Sequence, residues 1–224
     1  MNLLDQIKQK SAAIHQASID RRRFLHTHPE LSFHEAKTAA YIAEELKKLD
    51  IPFKTEIGGH GVVGLINGKK GNAEKVVALR ADFDALPITE ENDVPYKSQN
   101  PGVMHACGHD VHTASLLGTA SILKDLAPQL DGTIKLIFQP AEEKFPGGAS
   151  LMIKDGALTQ PTVNGILGQH VLPYMDVGKI GIRKGMYMAS ADEIYLTIKG
   201  KGGHAALPSR FIDPVMIAAQ TLVT

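Results

Sequence analysis

Apolar residues recur at helical spacing over residues 3–27, with Leu3, Leu4, Ile7, Ala12, Ile14 and Phe24 on the repeat, which predicts one helix. His28-Pro29 closes it, because the residue before a proline is pushed out of the helical region. Ser32 and Glu35 stand at capping-box spacing, and the helix they start carries Ala39, Ile42, Ala43, Leu46 and Leu49. Strand signals follow at residues 53–57, 62–66 and 76–80, the last leading into the acidic turn Asp82-Phe83-Asp84. Residues 85–105, rich in Pro, Asn and Ser, read as loop. A helix from near His109 carries Ala114, Leu117, Ala120, Ile122 and Leu123. Residues 133–138 have a buried-strand pattern, 147–157 a short helix, and 166–171 another strand. Strands alternating with helices predict an α/β sandwich with a largely parallel or mixed sheet.

The texture changes after about residue 188. Asp192-Glu193-Ile194-Tyr195-Leu196-Thr197-Ile198-Lys199 alternates polar and apolar, as an antiparallel strand with one wet face does. The Gly-rich turn Gly200-Lys201-Gly202-Gly203 follows, and Asp213-Pro214 starts a helix expected to run into Thr224. The expected organisation is a first domain over 1–187 and a second, over 188–224, that the chain enters and does not finish.

Composition narrows the classes. The 224 residues are 43% hydrophobic and 21% charged, ordinary for a soluble globular protein. Net charge is zero with His neutral, so nucleic acid is not an expected partner. A single cysteine cannot close an intrachain disulfide, which suits a reducing compartment. The start of the chain turns polar at once, without a signal-peptide apolar region, and no apolar run approaches the ~18 residues of a membrane span. The expected location is the cytoplasm.

The chemistry concentrates in Met104-His105-Ala106-Cys107-Gly108-His109-Asp110-Val111-His112. Cys107 and His109, two residues apart in a polar loop, form a short chelating arm for a divalent cation such as zinc or manganese. A place near a helix N-terminus also favours the thiolate. His112, one helical turn past His109, is either a supporting donor or a plain helix residue. Asp82 and Asp84 are either solvated turn acids or carboxylates at a strand end, one of which orients a metal-bound histidine. Glu142 and Glu143 either complement a helix dipole or divide labour, one binding metal and the other moving a proton. His170 ends a strand-like run and is either structural or a further ligand. His204, in Gly202-Gly203-His204-Ala205-Ala206, either decorates a loop or reaches over a site to polarise a carbonyl. Gly59-His60-Gly61-Val62-Val63-Gly64 matches a dinucleotide-binding pattern only formally, because a strand stands where a helix should open.

On these residues the chain resembles the dinuclear-metal aminoacylase and carboxypeptidase family, in the branch of N-acyl-amino-acid amidohydrolases that includes hippurate hydrolases, N-acetyl-diaminopimelate deacetylases and auxin-conjugate hydrolases. The resemblance also covers Arg22-Arg23-Phe24-Leu25-His26-Thr27-His28-Pro29-Glu30-Leu31, Arg80 to Pro87, Gln139-Pro140-Ala141-Glu142-Glu143, Gly168-Gln169-His170 and Gly200 to Pro208. It implies a zinc-peptidase-like α/β/α catalytic domain, here incomplete, and the start of a small α+β lid and dimerisation domain. It implies two divalent cations held by Cys107, His109, Glu143 and His170, zinc or manganese foremost, with cobalt or nickel serving in relatives. Glu142 falls on the general base, Asp84 on the acid that supports the site, and His204 on the lid histidine that helps hold the substrate carbonyl or carboxylate. The segment from Arg22 to Leu31 reads as structural. The implied reaction is hydrolysis of the amide of a small N-acyl amino acid by a homodimer joined through the lid. Family members are longer and supply one more metal-binding histidine near the C-terminus. A dipeptidase or carboxypeptidase of the same fold, and a truncated non-catalytic binding or dimerisation homologue, are the alternatives.

Overall fold

The N-terminal repeat forms two helices rather than one, α1 (Leu3–Ala13) and α2 (His15–Thr27), broken at Ile14. Ser18 Oγ donates to the Ile14 carbonyl at 3.1 Å, a back-bond that bends helices. Then come α3 (Ala36–Lys48), β1 (Phe53–Ile57), β2 (Gly61–Asn67), β3 (Val76–Asp82), α4 (His109–Leu126), β4 (Thr133–Gln139), α5 (Gly148–Lys154), β5 (Gly165–Gly168) and α6 (Pro214–Val223). This computed structural model describes residues 2–69, 75–190 and 192–223. The expected end of the last helix at Thr224 lies outside the described residues.

The five strands form one mixed sheet in the order β1-β2-β4-β3-β5. β3 runs parallel to β4 and β5, while β2 is antiparallel to both β1 and β4. The period of two along β4 sends Leu136 and Phe138 to one face and Lys135 and Ile137 to the other. On the first face they meet Ile42 and Leu46 of α3 and Leu117 and Ala120 of α4 in the main core. On the second, Ile137 and Ala78 meet Met152 of α5 and Ala157. Lys135 is buried there too, its Nζ donating to the carbonyls of Ala157, Thr159 and Pro161 at 2.9, 2.9 and 2.8 Å. The formal dinucleotide pattern is the turn between β1 and β2 and the start of β2.

Ser32 and Glu35 do not cap α3. Ser32 Oγ donates to Asp84 Oδ2 at 2.7 Å, and Glu35 Oε1 accepts from the Ala141 N–H at 2.7 Å. Glu30 serves the helix start instead, its Oε2 accepting from Thr38 N and Oγ1 at 2.7 and 2.9 Å. A sequence spacing reports that two side chains could reach each other; here both found partners across the fold.

The chain divides into two compact units, Met1–Tyr174 and Met175–Thr224. The texture change near residue 188 falls inside the second. That unit holds an antiparallel bridge between Lys201 and Ile212, a short 3-10 turn at Pro208–Arg210, and α6, whose start is capped by Asp213 Oδ1 accepting from Val215 N at 2.9 Å. The strand expected over 192–199 is not formed: its described residues pair with no neighbour, and Ile194, Tyr195 and Leu196 stand exposed. Alternation makes a strand only when a ladder partner satisfies its amides. Among the described residues, no helix is long and apolar enough to cross a membrane.

Candidate metal centre

The parallel strands β3, β4 and β5 deliver their carboxyl ends to one rim, where open α/β sheets gather their functional groups. Asp82 ends β3 and Asp84 lies two residues on. Glu142 and Glu143 follow β4, and His170 follows β5. Met104 pairs with Leu86 through reciprocal 3.0 Å hydrogen bonds, carrying the His105-Ala106-Cys107 segment past the end of β3 into the start of α4. Gly108 makes that entry possible. Its φ of 99° is in the left-handed region, and a Cβ there would lie 2.5 Å from Val171 Cγ2. On the facing loop Ala141, at φ 47°, turns the backbone so that Glu142 and Glu143 return to the rim.

His109 is the centre of the arrangement. Its ring is fully buried, and Nδ1 is held by Asp84, 3.0 Å from the carbonyl and 3.1 Å from Oδ1. The proton therefore sits on Nδ1, leaving Nε2 as a bare lone pair. Nε2 has no hydrogen-bond partner; it lies 3.8 Å from Glu143 Oε1, itself without one, and 4.0 Å from Glu142 Oε2. Asp84 fixes three elements at once, because its Oδ2 also accepts from Ser32 Oγ and from the Glu143 N–H at 2.9 Å. Burial opposes ionisation of Asp84, but His109, the Glu143 amide and Ser32 outweigh it and lower its pKa. Burial likewise opposes charge on His109, yet the Asp84 bond and the nearby carboxylates raise its pKa.

His170 Nδ1 donates to the Val171 carbonyl at 2.7 Å, so Nε2 carries the lone pair, which accepts from Cys107 Sγ at 3.4 Å. The thiolate expected from the helix terminus is not favoured in this protein-only environment. Burial, then the Glu143 carboxylate, pushes the Cys107 thiol up to about 12. Burial, then the charge of Glu143, also raises the pKa of Glu142.

Among the described residues, three sets of ligand-type atoms lie within 4.8 Å of one another: Cys107, His109 and His170; His109, Glu142 and Glu143; and Asp82, His109 and His112. In the third set Asp82 and His112 are largely engaged elsewhere, although Asp82 Oδ2 also lies 3.7 Å from His109 Nε2. His112 Nδ1 donates to Asp82 Oδ1 at 2.6 Å while its Nε2 accepts from Val171 N at 3.0 Å, and Asp82 Oδ2 is held by Arg80 at 2.6 Å. His112 is thus a supporting donor rather than a plain helix residue. The first two sets share His109 and present a thiol, two imidazole nitrogens and two carboxylates, with no Lys or Arg among them. That donor set fits a divalent cation.

The rim therefore brings together Asp84, Cys107, His109, Glu142, Glu143 and His170. His204 belongs to the second unit, where its exposed ring accepts from Ala206 N at 3.1 Å. Sequence reading missed Ser32, which steadies Asp84, and Glu35, buried under the Ala141 turn. It also missed a cluster behind Cys107. His26 Nδ1 contacts Asp110 Oδ2 at 2.7 Å and His26 Nε2 contacts Glu90 Oε1 at 3.1 Å, while Arg22 Nε pairs with Asp110 at 2.9 Å. The Asp110 and Glu90 bonds outweigh burial and raise the pKa of His26. Arg22 and His26 stand four apart on α2, a spacing that puts both on one helix face and was the available signal. His105 is buried beside them, and burial pushes it down to about 4.

Residues 78–223 match the family described as peptidase family M20/M25/M40. An N-acyl-L-amino acid amidohydrolase of Geobacillus stearothermophilus is 45% identical, over 97% of this chain and 58% of its own length. The IAA-amino acid hydrolase ILR1-like 5 of Arabidopsis thaliana is 43% identical, over 91% and 45%. The crystal structure of the Bacillus subtilis YXEP protein, described as a dinuclear metal binding peptidase from the M20 family, is 43% identical and superposes with a TM-score of 0.73, covering 78% of this chain and 48% of that one. The chain spans about half the length of the curated relatives it matches.

Proposed function

The chain belongs to peptidase family M20/M25/M40, and from that membership we propose that it carries most of the catalytic centre of a metal-dependent amidohydrolase cleaving N-acyl amino acids to a carboxylic acid and a free amino acid. One observation carries the reading: the unpartnered His109 Nε2 and Glu143 Oε1, both withheld from solvent, face each other 3.8 Å apart. Buried polar groups are ordinarily satisfied, so two convergent exceptions call for a cation between them.

Cys107, His109, Glu143 and His170 would hold two divalent cations, zinc or manganese, with cobalt or nickel also within reach of this donor set. When bound, such cations supply Lewis-acid stabilisation of developing negative charge and lower the pKa of water. Asp84 keeps the His109 proton on Nδ1 and the ring in place. Glu142 takes a proton from the attacking water and returns it to the departing amine. Its raised pKa suits a group that must both accept and release a proton. His204 acts from the second unit, which begins the lid and dimerisation domain, by holding the substrate carbonyl or carboxylate. The working protein is a cytoplasmic homodimer.

In the full-length protein, Glu142→Gln is expected to lower turnover of N-acetyl and N-benzoyl amino acids by about 10²–10⁴-fold. Metal content, measured by elemental analysis, stays unchanged. Retained activity rejects Glu142 as the base. Faster cleavage of free dipeptides than of acylated amino acids rejects the substrate class.

A further inference from the structure

Behind Cys107 the first unit forms an open cavity of about 490 Å³, a volume suited to a small organic group. Val94, Met104, Val111, Val171 and Leu172 give it apolar walls. Its other side is polar: Arg22 lies 2.9 Å from Asp110 as an ion pair, both nitrogens of His26 are engaged, and Glu90 accepts from His26, Asn92 and the Ser98 amide. His105 differs. It lines the same cavity, is only 4% exposed, and neither Nδ1 nor Nε2 has a hydrogen-bond partner. A neutral imidazole holds one N–H and one lone pair, and burying both unmet is costly.

Resting on the hydrolase reading above, we infer that this cavity receives the acyl group of the substrate and that His105 sets acyl specificity by hydrogen bonding to a polar atom on that group. Cys107 lines the cavity, and on this reading the acyl group sits there with its carbonyl directed toward Cys107. Its charges favour the acyl side over the amino-acid side. A free carboxylate would face Glu90, and the positive charge of Arg22 is shared with Asp110. An uncharged acyl chain meets no such repulsion. Within it, a hydroxyl or amide group gives His105 the partner the protein withholds. A site with an unmet buried donor discriminates against the analogue that lacks the matching atom far more sharply than an apolar pocket discriminates by size.

The test compares kcat/KM for an N-benzoyl amino acid with its 2-, 3- and 4-hydroxybenzoyl counterparts in the full-length, metal-loaded protein. At least one hydroxy isomer is expected to exceed benzoyl by about 10-fold or more. His105→Leu removes that preference, bringing the hydroxybenzoyl-to-benzoyl ratio of kcat/KM to about 1, and His105→Gln restores part of it. An independent readout uses ¹⁵N-histidine spectra of the wild-type protein: the His105 ring signals move on saturation with the preferred hydroxybenzamide and not with benzamide. This measurement stands even if a variant fails to fold. Equal ratios in wild type and His105→Leu, or ring signals indifferent to the hydroxyl, overturn the assignment and leave the hydrolase reading intact. Absence of turnover on every N-acyl substrate in the wild type rejects the hydrolase reading itself, whatever the ring signals do.

Discussion

Lys135 and His109 are both buried, and both carry polar atoms that water cannot reach, yet the fold treats them in opposite ways. The Lys135 ammonium points into the α5 side of the sheet and is answered by three carbonyls of residues 157–161. His109 stands at the strand ends with one nitrogen fixed and the other facing carboxylates that it does not touch. The first is a closed arrangement, with its own cation built in. The second is an open one, made of donors alone. The contrast separates structural from functional polarity: a group that only has to hold the fold is satisfied by the fold, and one kept for chemistry is left incomplete.

The closed arrangement breaks most expensively. Lys135→Met leaves three carbonyls facing an apolar side chain and is expected to cost about 3 kcal/mol in denaturant unfolding of the full-length protein. The constants for N-acyl substrates of whatever folds stay near wild type. A loss below about 1 kcal/mol would mean that the carbonyls find other partners. The open arrangement should respond the other way, gaining stability when its missing charge arrives. Zinc or manganese at 100 times its dissociation constant is expected to add about 2.7 kcal/mol, read as a rise in Tm that a chelator reverses. Asp84→Asn, which loosens the His109 proton, weakens that affinity by about 10–100-fold in the same titration. No thermal shift with any divalent ion would remove the contrast altogether.

Much of this was legible in the chain and some was not, for physical reasons. The main strands and α3 showed because their burial repeats at two or at about 3.6 residues, and the Cys107-to-His112 segment because few structural roles concentrate so many ligand types. Ser32 and Glu35 misled because capping boxes are read locally, whereas their partners lie 52 and 106 residues away. The strand expected over 192–199 failed because alternation does not supply a partner. The Cys107 thiol went against expectation because burial raises its pKa first, and the Glu143 and Glu142 carboxylates that add to it arrive from a distant loop.

A partly exposed ion pair gives the mildest comparison. Glu45 is contacted by Arg21 at 2.7 Å and Lys48 at 2.6 Å; burial alone would raise its pKa, but these two partners lower it. With its folded pKa below its unfolded one, Glu45 contributes stability at neutral pH that is lost as pH falls through the lowered value. Glu45→Gln should therefore cost about 1 kcal/mol near pH 7 and nothing once the carboxylate is protonated in both states. Unfolding curves of the two proteins, which should converge in acid, check the sign.

At one flank of the sheet, β5 is hydrogen-bonded to β3 alone among the described residues, with Ile166 and Leu167 exposed. A polypeptide of residues 1–224 prepared in isolation thus displays a bare row of amides and carbonyls beside two greasy side chains, the surface on which strands of separate molecules zip together. Turbidity during concentration of such a preparation would be a property of that flank and would carry no information about the chemistry at the rim.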